Sequence, residues 1–590
     1  MIRLPGKKWF QTNRSNVLGN LWSTFNIDLQ SNLGVTRVSP RLKANTTTAD
    51  TSDLHSYPSA FEYFDNAFYA VCSFSSTSGG VLKGGDTPEV AFAQDLTVTD
   101  PVFTYDSRKS DLEVFNGQLF STTEDEIYSL DETGGTWTLR GGANPLSIDY
   151  FHILKYFKKF NRLYVRDAKE TIRSFNTSYS LSSAPAADYS LDLGTGGQYQ
   201  ILSMVCTQEY IWIGTGFLGS LTGKGRIYQW DGISAQPIAE YIVNANAVPA
   251  MCVQNNVPYA MDSNGSLLAF SGSSFQEVAR LPATNLSSIN NYINEGLIHP
   301  NGLVATRNGT ILAFINNVNE DFDETINENL PSGVWEWSSD YGFTHKYSIS
   351  YNPAGNSTIT DYGQNRIGIA GALFDASVVS AENGRNGTLM LGASFYLNAS
   401  ELDSGIFIDD SNDTVQKFGY LVTTWIQSAN LSDVWQKVWL KYKQLLSSTD
   451  KITVKYRTRE AEPTYISITW VNTTSFTTTT DVSDMQGYEV EVIQGTGSGK
   501  TAHISAISES GGTYTVTTDE AVTGVTTGTA KARVQNWTKL FEVDDQTSES
   551  VKRSLGAQSE RIQLKVTMLF TGENELHEVG IINTPGEPLT

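Results

Sequence analysis

One hydrophobic motif recurs along the middle of the chain: apolar positions flanking polar ones, closing on a large side chain and running at once into a polar turn. It stands as Ile127-Tyr-Ser-Leu130 before DETGG, Ile172-Arg-Ser-Phe175 before NTSYS, Ile227-Tyr-Gln-Trp230 before DGISAQ, Leu267-Leu-Ala-Phe270 before SGSSF and Val334-Trp-Glu-Trp337 before SSDYG. Ile406-Phe-Ile-Asp409 before DSNDT is a weaker sixth. Short alternating runs bounded by Gly, Asn, Asp and Ser predict strands. The leading positions lie 45, 55, 40, 67 and 72 residues apart, and the first three intervals are near the ~40 to 50 residues of a four-stranded propeller blade. An earlier strand precedes each motif: GQLFST, NRLYVRD, YIWIGTG, VPYAMDS, GTILAFI and GTLMLGAS. Asn116-Gly117, Asn264-Gly265, Asn308-Gly309 and Asn386-Gly387 supply the residue pair that best tolerates positive φ in a hairpin.

Residues 59–96 read as one further unit, giving about seven blades over residues 55–414, with six or eight left open. The two long intervals are accounted for by polar insertions, NVNEDFDETINENLPS (317–332) and ASVVSAENGRNG (376–387), since doubling a loop costs only about 0.6 kcal/mol in closure entropy. A single blade leaves both faces bare, whereas radially packed blades bury one another. Residues 1–54 form a basic arm, in which GNLWSTFNIDLQ (19–30) is a candidate for the strand that latches the ring.

From about residue 415 the rhythm changes. KVWLKYKQL, KITVKYRT, YISITWV, WTKLFEV, RIQLKVTML and LHEVGII alternate over longer runs and predict an antiparallel sandwich of jelly-roll type over 415–590. The Thr- and Gly-rich segment 474–534 has strands of its own and reads as a small inserted β module. The fold class expected is therefore all-β: a propeller of about seven blades, then a sandwich carrying that module.

Composition agrees with strands: hydrophobic residues are 39%, charged residues only 18%, and 590 residues exceed a single core. MIRLPGKKWFQTN lacks the apolar core of a signal peptide, and no apolar run nears the ~20 residues of a membrane-spanning helix. A soluble protein made in a cytoplasm, without membrane insertion, is expected. Cys72, Cys206 and Cys252 sit among apolar neighbours without metal-ligand spacing and read as buried thiols. The net charge of -22 is uneven. Arg3, Lys7, Lys8, Arg14, Arg37, Arg41 and Lys43 face only Asp28 in the first 43 residues, while the middle of the chain is strongly acidic. Such a body repels phosphate backbones, so specific nucleic-acid binding is not expected there. The arm suits an acidic neighbour.

Chemistry is sought at four places. QGTGSGKT (494–501) looks like a phosphate-binding loop, but Gln494 stands where the first Gly belongs and alternating strands follow Thr501. Asp321, Asp323 and Glu324 read as a solvated acidic loop, and Asp409, Ser411 and Asp413 resemble the opening of a calcium loop. Thr414 replaces that loop's Gly and Tyr420 its twelfth-position Glu. The six His residues are scattered, and the Asn-x-Ser/Thr triplets at Asn308 and Asn386 are expected by chance in so polar a chain. No catalytic, cofactor or metal residue is assigned, and the chain is expected not to be an enzyme.

Two resemblances add to this. Ser338-Ser-Asp340-Tyr-Gly342-Phe-Thr344-His345 resembles the Asp-box of sialidases and related propellers, with His345 where that family has Trp; 129–137 is a looser copy, one residue too long. In that family the box is a turn between outer blade strands and carries no chemistry. More widely, Gly19-Asn-Leu-Trp22 leading into VSPRL (38–42), PSGVWEW with HKYS (331–348), and the closing WTKLFEV and RIQLKVTMLF resemble the tail nozzle and hub proteins of short-tailed phages. The resemblance implies a virion tail protein assembled in the host cytoplasm as a ring of copies, commonly six. It would contact portal or adaptor proteins and leave a passage for DNA. The competing expectation is a glycan-binding or glycan-cleaving propeller that recognises a host surface.

Overall fold

The fold is taken from a computed structural model. It describes residues 2–5, 10–11, 20–25, 27–29, 36–39 and 41–44, and 56–584 with breaks, the larger ones at 100–109, 183–188, 282–297, 316–332, 348–368, 375–387 and 411–416. The chain is all-β; among the described residues the only helical element is the 3-10 turn Lys158–Phe160. No described helix is long and apolar enough to cross a membrane. The expected insertions at 317–332 and 376–387 lie outside the described residues.

Six four-stranded antiparallel sheets follow one another at 56–99, 112–140, 154–192, 199–242, 250–280 and 298–347. A seventh consists of Ile369–Phe374, Thr388–Asn398 and Glu401–Asp410, completed by Arg41–Ala44 from the other end of the chain. The recurrent motif is the third strand of sheets two to seven, and the strand read before it is the second. Residues 59–96 fall within the first sheet. In sheets one, two and five a tight turn joins the first and second strands: Asn116 and Gly117 have φ of 50° and 73°. Asp65-Asn66 and Asn255-Asn256 adopt the same positive-φ geometry without Gly.

The first strand of each sheet touches the first strand of the next, and that of the seventh touches that of the first. Apolar clusters fill the seams. Val71 and Leu96 of the first sheet meet Leu119 and Leu130 of the second. Phe120 of the second meets Leu163 and Phe175 of the third, and Tyr164 packs edge-on against Trp230 of the fourth at 5.4 Å. Trp212 meets Phe270 of the fifth at 4.7 Å. Met261 joins Trp335 of the sixth, and Phe68 joins Met390 and Ile406 of the seventh. Gly392 is needed at the last seam, where a Cβ would collide with the Pro58 carbonyl oxygen.

The second body has two sheets around one core. One runs in the order Ile2–Pro5, Leu576–Thr584, Val434–Tyr442, Ser550–Gln558. The other runs Phe10–Gln11, Asn20–Phe25, Lys417–Thr423, Arg561–Phe570, Lys451–Arg457, Thr538–Val543, with Ile426–Gln427 also on Arg561–Phe570. Alternate residues such as Trp435, Val438, Leu440, Ile452, Val454, Leu564 and Val566 bury between them. The segment GNLWSTFNIDLQ, expected to latch the ring, instead pairs through Asn20–Phe25 with Lys417–Thr423, and Arg41–Ala44 makes the closing strand. The reason is one of order: among the described residues, 41–44 are the last paired strand before the first sheet begins at Ser56. Thr24 Oγ1 accepts the His345 amide at 3.0 Å, tying this body to the sixth sheet.

A closed six-stranded barrel, residues 464–535, is carried on the second body. Its staves include Thr464–Asn472, so YISITWV, which the sequence assigned to the sandwich, belongs here; it pairs with Gly528–Gln535 and Ser475–Thr478. Ile466, Ile468 and Trp470 fill its interior with Phe476, Val490 and Val516.

Candidate functional site

The first strands of the early sheets share a four-residue pattern: Phe61-Glu62-Tyr63-Phe64, Leu112-Glu113-Val114-Phe115 and Leu154-Lys155-Tyr156-Phe157. Outer members of each quartet bury in the seams, which leaves Glu62, Glu113 and Lys155 facing one another where the sheets converge. Lys155 Nζ lies 3.5 Å from Glu113 Oε2 and 3.5 Å from Asp111 Oδ2. Cys206, on the fourth sheet's first strand, completes the group.

Asp111 is the keystone. Its Oδ1 accepts the Leu112 amide at 3.0 Å and Asn301 Nδ2 at 2.9 Å, and its Oδ2 accepts the Leu154 amide at 3.0 Å. One carboxylate thus links the second, third and sixth sheets. Asn301 Nδ2 also donates to the Ser59 carbonyl of the first sheet at 3.2 Å. It can reach because residues 299–302 bulge out of their strand: Ile298 pairs with Ile315, but the next paired residue is Leu303, opposite Ala313. Gly302 permits the bulge, since a Cβ there would lie 2.9 Å from the His299 carbonyl oxygen. The His299 ring meets Phe151 edge-on at 5.0 Å. The centre of the seven-sheet body is therefore bridged by side chains.

Burial, reinforced by Glu113, pushes the Glu62 carboxyl up to about 8, so it is mainly an uncharged acid at neutral pH. Burial also raises Glu113, with Lys155 opposing. Burial works against the charge on Lys155, but Asp111 and Glu113 outweigh it and raise its pKa. Burial and the neighbouring Glu113 push the Cys206 thiol up, away from the thiolate that nucleophilic chemistry requires. Glu113 and Lys155 keep 24% and 23% of their side chains accessible, so the cluster lines a recess that water enters. It can store a proton and lock sheets together. Among the described residues no group of three His, Cys, Asp or Glu is placed to hold a metal.

The positions singled out in the sequence do not converge on this site. QGTGSGKT spans the turn between Glu489–Gly495 and Thr501–Ser510, two paired barrel strands, with the Val492 amide donating to the Lys500 carbonyl at 2.9 Å. The Asp-box-like residues make the turn between the third and fourth strands of the sixth sheet, with Gly342 at φ 69°. His345 is buried edge-on against Trp335 at 5.3 Å. The looser copy lies between the third and fourth strands of the second sheet, with residues 133–134 outside the described ones, and Trp137 Nε1 donates to Asp95 at 2.7 Å. Asp409 pairs with Leu42 through the backbone; Ser411 and Asp413, like Asp321, Asp323 and Glu324, lie outside the described residues. Cys72 and Cys252 are buried and Cys206 is half-buried; all three are free. Arg37 pairs with Glu575, Arg3 and Arg41 and Lys43 stand in paired strands, and Lys7, Lys8 and Arg14 lie outside the described residues. The sequence reading missed Glu62, Asp111, Glu113, Lys155 and Asn301. The FEYF, LEVF and LKYF quartets were the available signal for three of them.

No protein-family model matches the chain, and no curated protein matches it. Among solved structures it is similar to the computationally designed Ika8 protein, with TM-score 0.34 and 11% identity over 62% of this chain and 99% of that one. It is also similar to a chain of a mitotic checkpoint complex, with TM-score 0.37 and 12% identity over 63% of this chain and 91% of that one. At these TM-scores the likeness carries no argument.

Proposed function

We propose that the protein is a structural component of a phage tail, a nozzle, hub or adaptor ring in which several copies assemble around a passage for DNA. In this reading the seven sheets are the blades of a β-propeller, the second body is a β-sandwich, and the barrel is its inserted module. The cycle of first-strand contacts and the closing strand Arg41–Ala44 support the propeller.

The observation that carries the functional reading is how the first 44 residues are used. Ile2–Pro5 and Asn20–Phe25 are strands of the second body and Arg41–Ala44 is a strand of the first, so one segment is hydrogen-bonded into both. Separating the bodies would require peeling strands, not merely extending a linker, which suits a part that carries load. The bridged centre of the seven-sheet body fits the same role, because DNA would then pass between assembled copies. Partners in this reading are further copies, commonly six in a ring, and adjoining portal or adaptor proteins, in the virion tail. Light scattering and negative-stain microscopy of the purified chain test it: closed rings at high concentration are expected, and a strict monomer overturns it.

A second reading has one feature in its favour. A groove of about 530 Å³ on the barrel is lined by Ser467, Thr469, Thr477, Thr513, Thr529 and Lys531 among others. Thr529, Thr469, Thr477 and Thr515 stand opposite one another across four neighbouring staves. Hydroxyls donate and accept alike, which suits a polyhydroxylated ligand such as a host glycan. Glycan-array binding that is lost in Thr469→Val/Thr477→Val would favour this reading.

A further inference from the structure

The barrel leaves and rejoins the second body between Lys451–Arg457 and Thr538–Val543, two strands that are themselves paired. It has its own closed hydrogen-bonding and its own core, so it is a folded unit on two links. What seats it on the sheet is a buried group of ions. Glu489, the first residue of a barrel stave and 1% exposed, lies between two lysines of the sheet: Lys455 Nζ is 3.1 Å from Oε2 and Lys565 Nζ is 2.9 Å from Oε1. Both lysines are buried. Two cations against one anion leave the seat with an excess positive charge.

His503 stands next to this seat, paired with Glu489 across the adjoining staves. Its ring is buried; Nε2 has no hydrogen-bond partner, and Nδ1 lies 3.7 Å from Asp519 Oδ2. The other charged groups are already engaged. Lys539 lies 3.8 Å from Asp519, 3.3 Å from Glu542 and also pairs with Glu520, while Lys451 holds Glu542 at 2.9 Å. Arg533 holds Glu491 at 2.9 Å. On the sheet side, Lys565 rests over Tyr420 at 4.8 Å, and Arg457 over Trp537 at 4.4 Å. Asp519 and Glu489 face His503 and favour its charged form, but Asp519 is shared with Lys539 and Glu489 with Lys455 and Lys565, so among these carboxylates none is reserved for a further positive charge.

We propose that this seat is a proton-operated latch: protonation of His503 adds a cation beside Lys455, at a seat that already carries excess positive charge, and releases the barrel, still folded, to swing on its two links. Burial and the nearby Lys455 hold the imidazole down at about 4 when the barrel is docked, against about 6.5 for a solvated His. The undocked state therefore binds the proton more readily, and docking weakens as pH falls from about 6.5, levelling off below about 4. Across that window the docking equilibrium shifts on the order of a hundredfold. Glu489 does not open the latch first, because the two lysines, overcoming burial, keep its carboxyl ionised well below the usual range.

The test uses the full chain with dyes on Ser510→Cys of the barrel and Ser550→Cys of the other sheet, following energy transfer and tryptophan fluorescence from pH 7.5 to 4. The expected result is a fall in transfer centred between pH 6.5 and 4, preceding any global unfolding. His503→Gln should flatten it, and Glu489→Gln should show low transfer already at pH 7.5. Unchanged transfer in the wild-type chain, the same transition in His503→Gln, or loss of transfer only together with global unfolding would overturn the latch. If Glu489→Gln does not fold, the wild-type and His503→Gln curves decide.

Discussion

Two buried clusters of charge in the molecule are opposites. At the centre of the seven-sheet body three carboxyl groups, Glu62, Asp111 and Glu113, surround one lysine. At the barrel seat two lysines surround one carboxylate. Each has an excess of one sign, and burial then decides which groups stay ionised. The acidic cluster responds by keeping Glu62 protonated; the basic one responds by keeping His503 neutral. Raising the pH therefore strains the first, and lowering it strains the second. The first lies among strands of four sheets that share Asp111 and Asn301, while the second joins a complete barrel to a complete sheet. Strain at the first threatens the body itself, whereas strain at the second threatens only a docking.

The largest effect should come from breaking the seat outright. Glu489→Ala leaves Lys455 and Lys565 buried without their counter-ion and should cost the docked state about 3–5 kcal/mol, measured by denaturant titration of the full chain. Asp111→Ala should follow at about 3 kcal/mol, because it leaves the Leu112 and Leu154 amides without their acceptor and Lys155 with Glu113 alone; Asp111→Asn should recover part of the loss. If Asp111→Ala were as mild as a surface change, the keystone role would fail.

Glu62→Gln sharpens the contrast in pH response. The folded-state pKa of about 8 lies above the unfolded value, so Glu62 contributes stability that is fully present below about pH 4.5 and lost as pH rises through about 8. The wild-type chain should lose about 2 kcal/mol over that interval from this group, allowing for its partial contact with water. The glutamine variant should lose none of it. Thermal melts from pH 4.5 to 8.5 read the difference. The smallest effect belongs to the tie between the bodies: Thr24→Val removes the acceptor for the His345 amide and should cost about 1 kcal/mol, with faster amide exchange at His345.

Much of the fold was legible because its signals are local. The Ile227-Tyr-Gln-Trp230 motif and its relatives mark third strands, and Asn116-Gly117 marks a hairpin, through alternation and turn chemistry that a few consecutive residues encode. The strand after Thr501 was also readable, which exposes QGTGSGKT as a turn. Other features needed partners far along the chain. Thr464–Asn472 alternates like its neighbours, and only its pairing with Gly528–Gln535 places it in the barrel. Asn20–Phe25 and Arg41–Ala44 are both short strands of the same arm, yet they go to different bodies.

The sequence by itself determined that the chain is all-β, where the second and third strands of sheets two to seven lie, and that Asn116-Gly117 takes positive φ. Those properties depend on side-chain period and backbone sterics within a few residues. Only the tertiary structure decided which strand closes the seventh sheet, that residues 299–302 cross the centre to Asp111, and that Glu489 rests between Lys455 and Lys565. Pairing and charge burial depend on which distant segments meet, and alternation specifies a strand's faces without naming its neighbour.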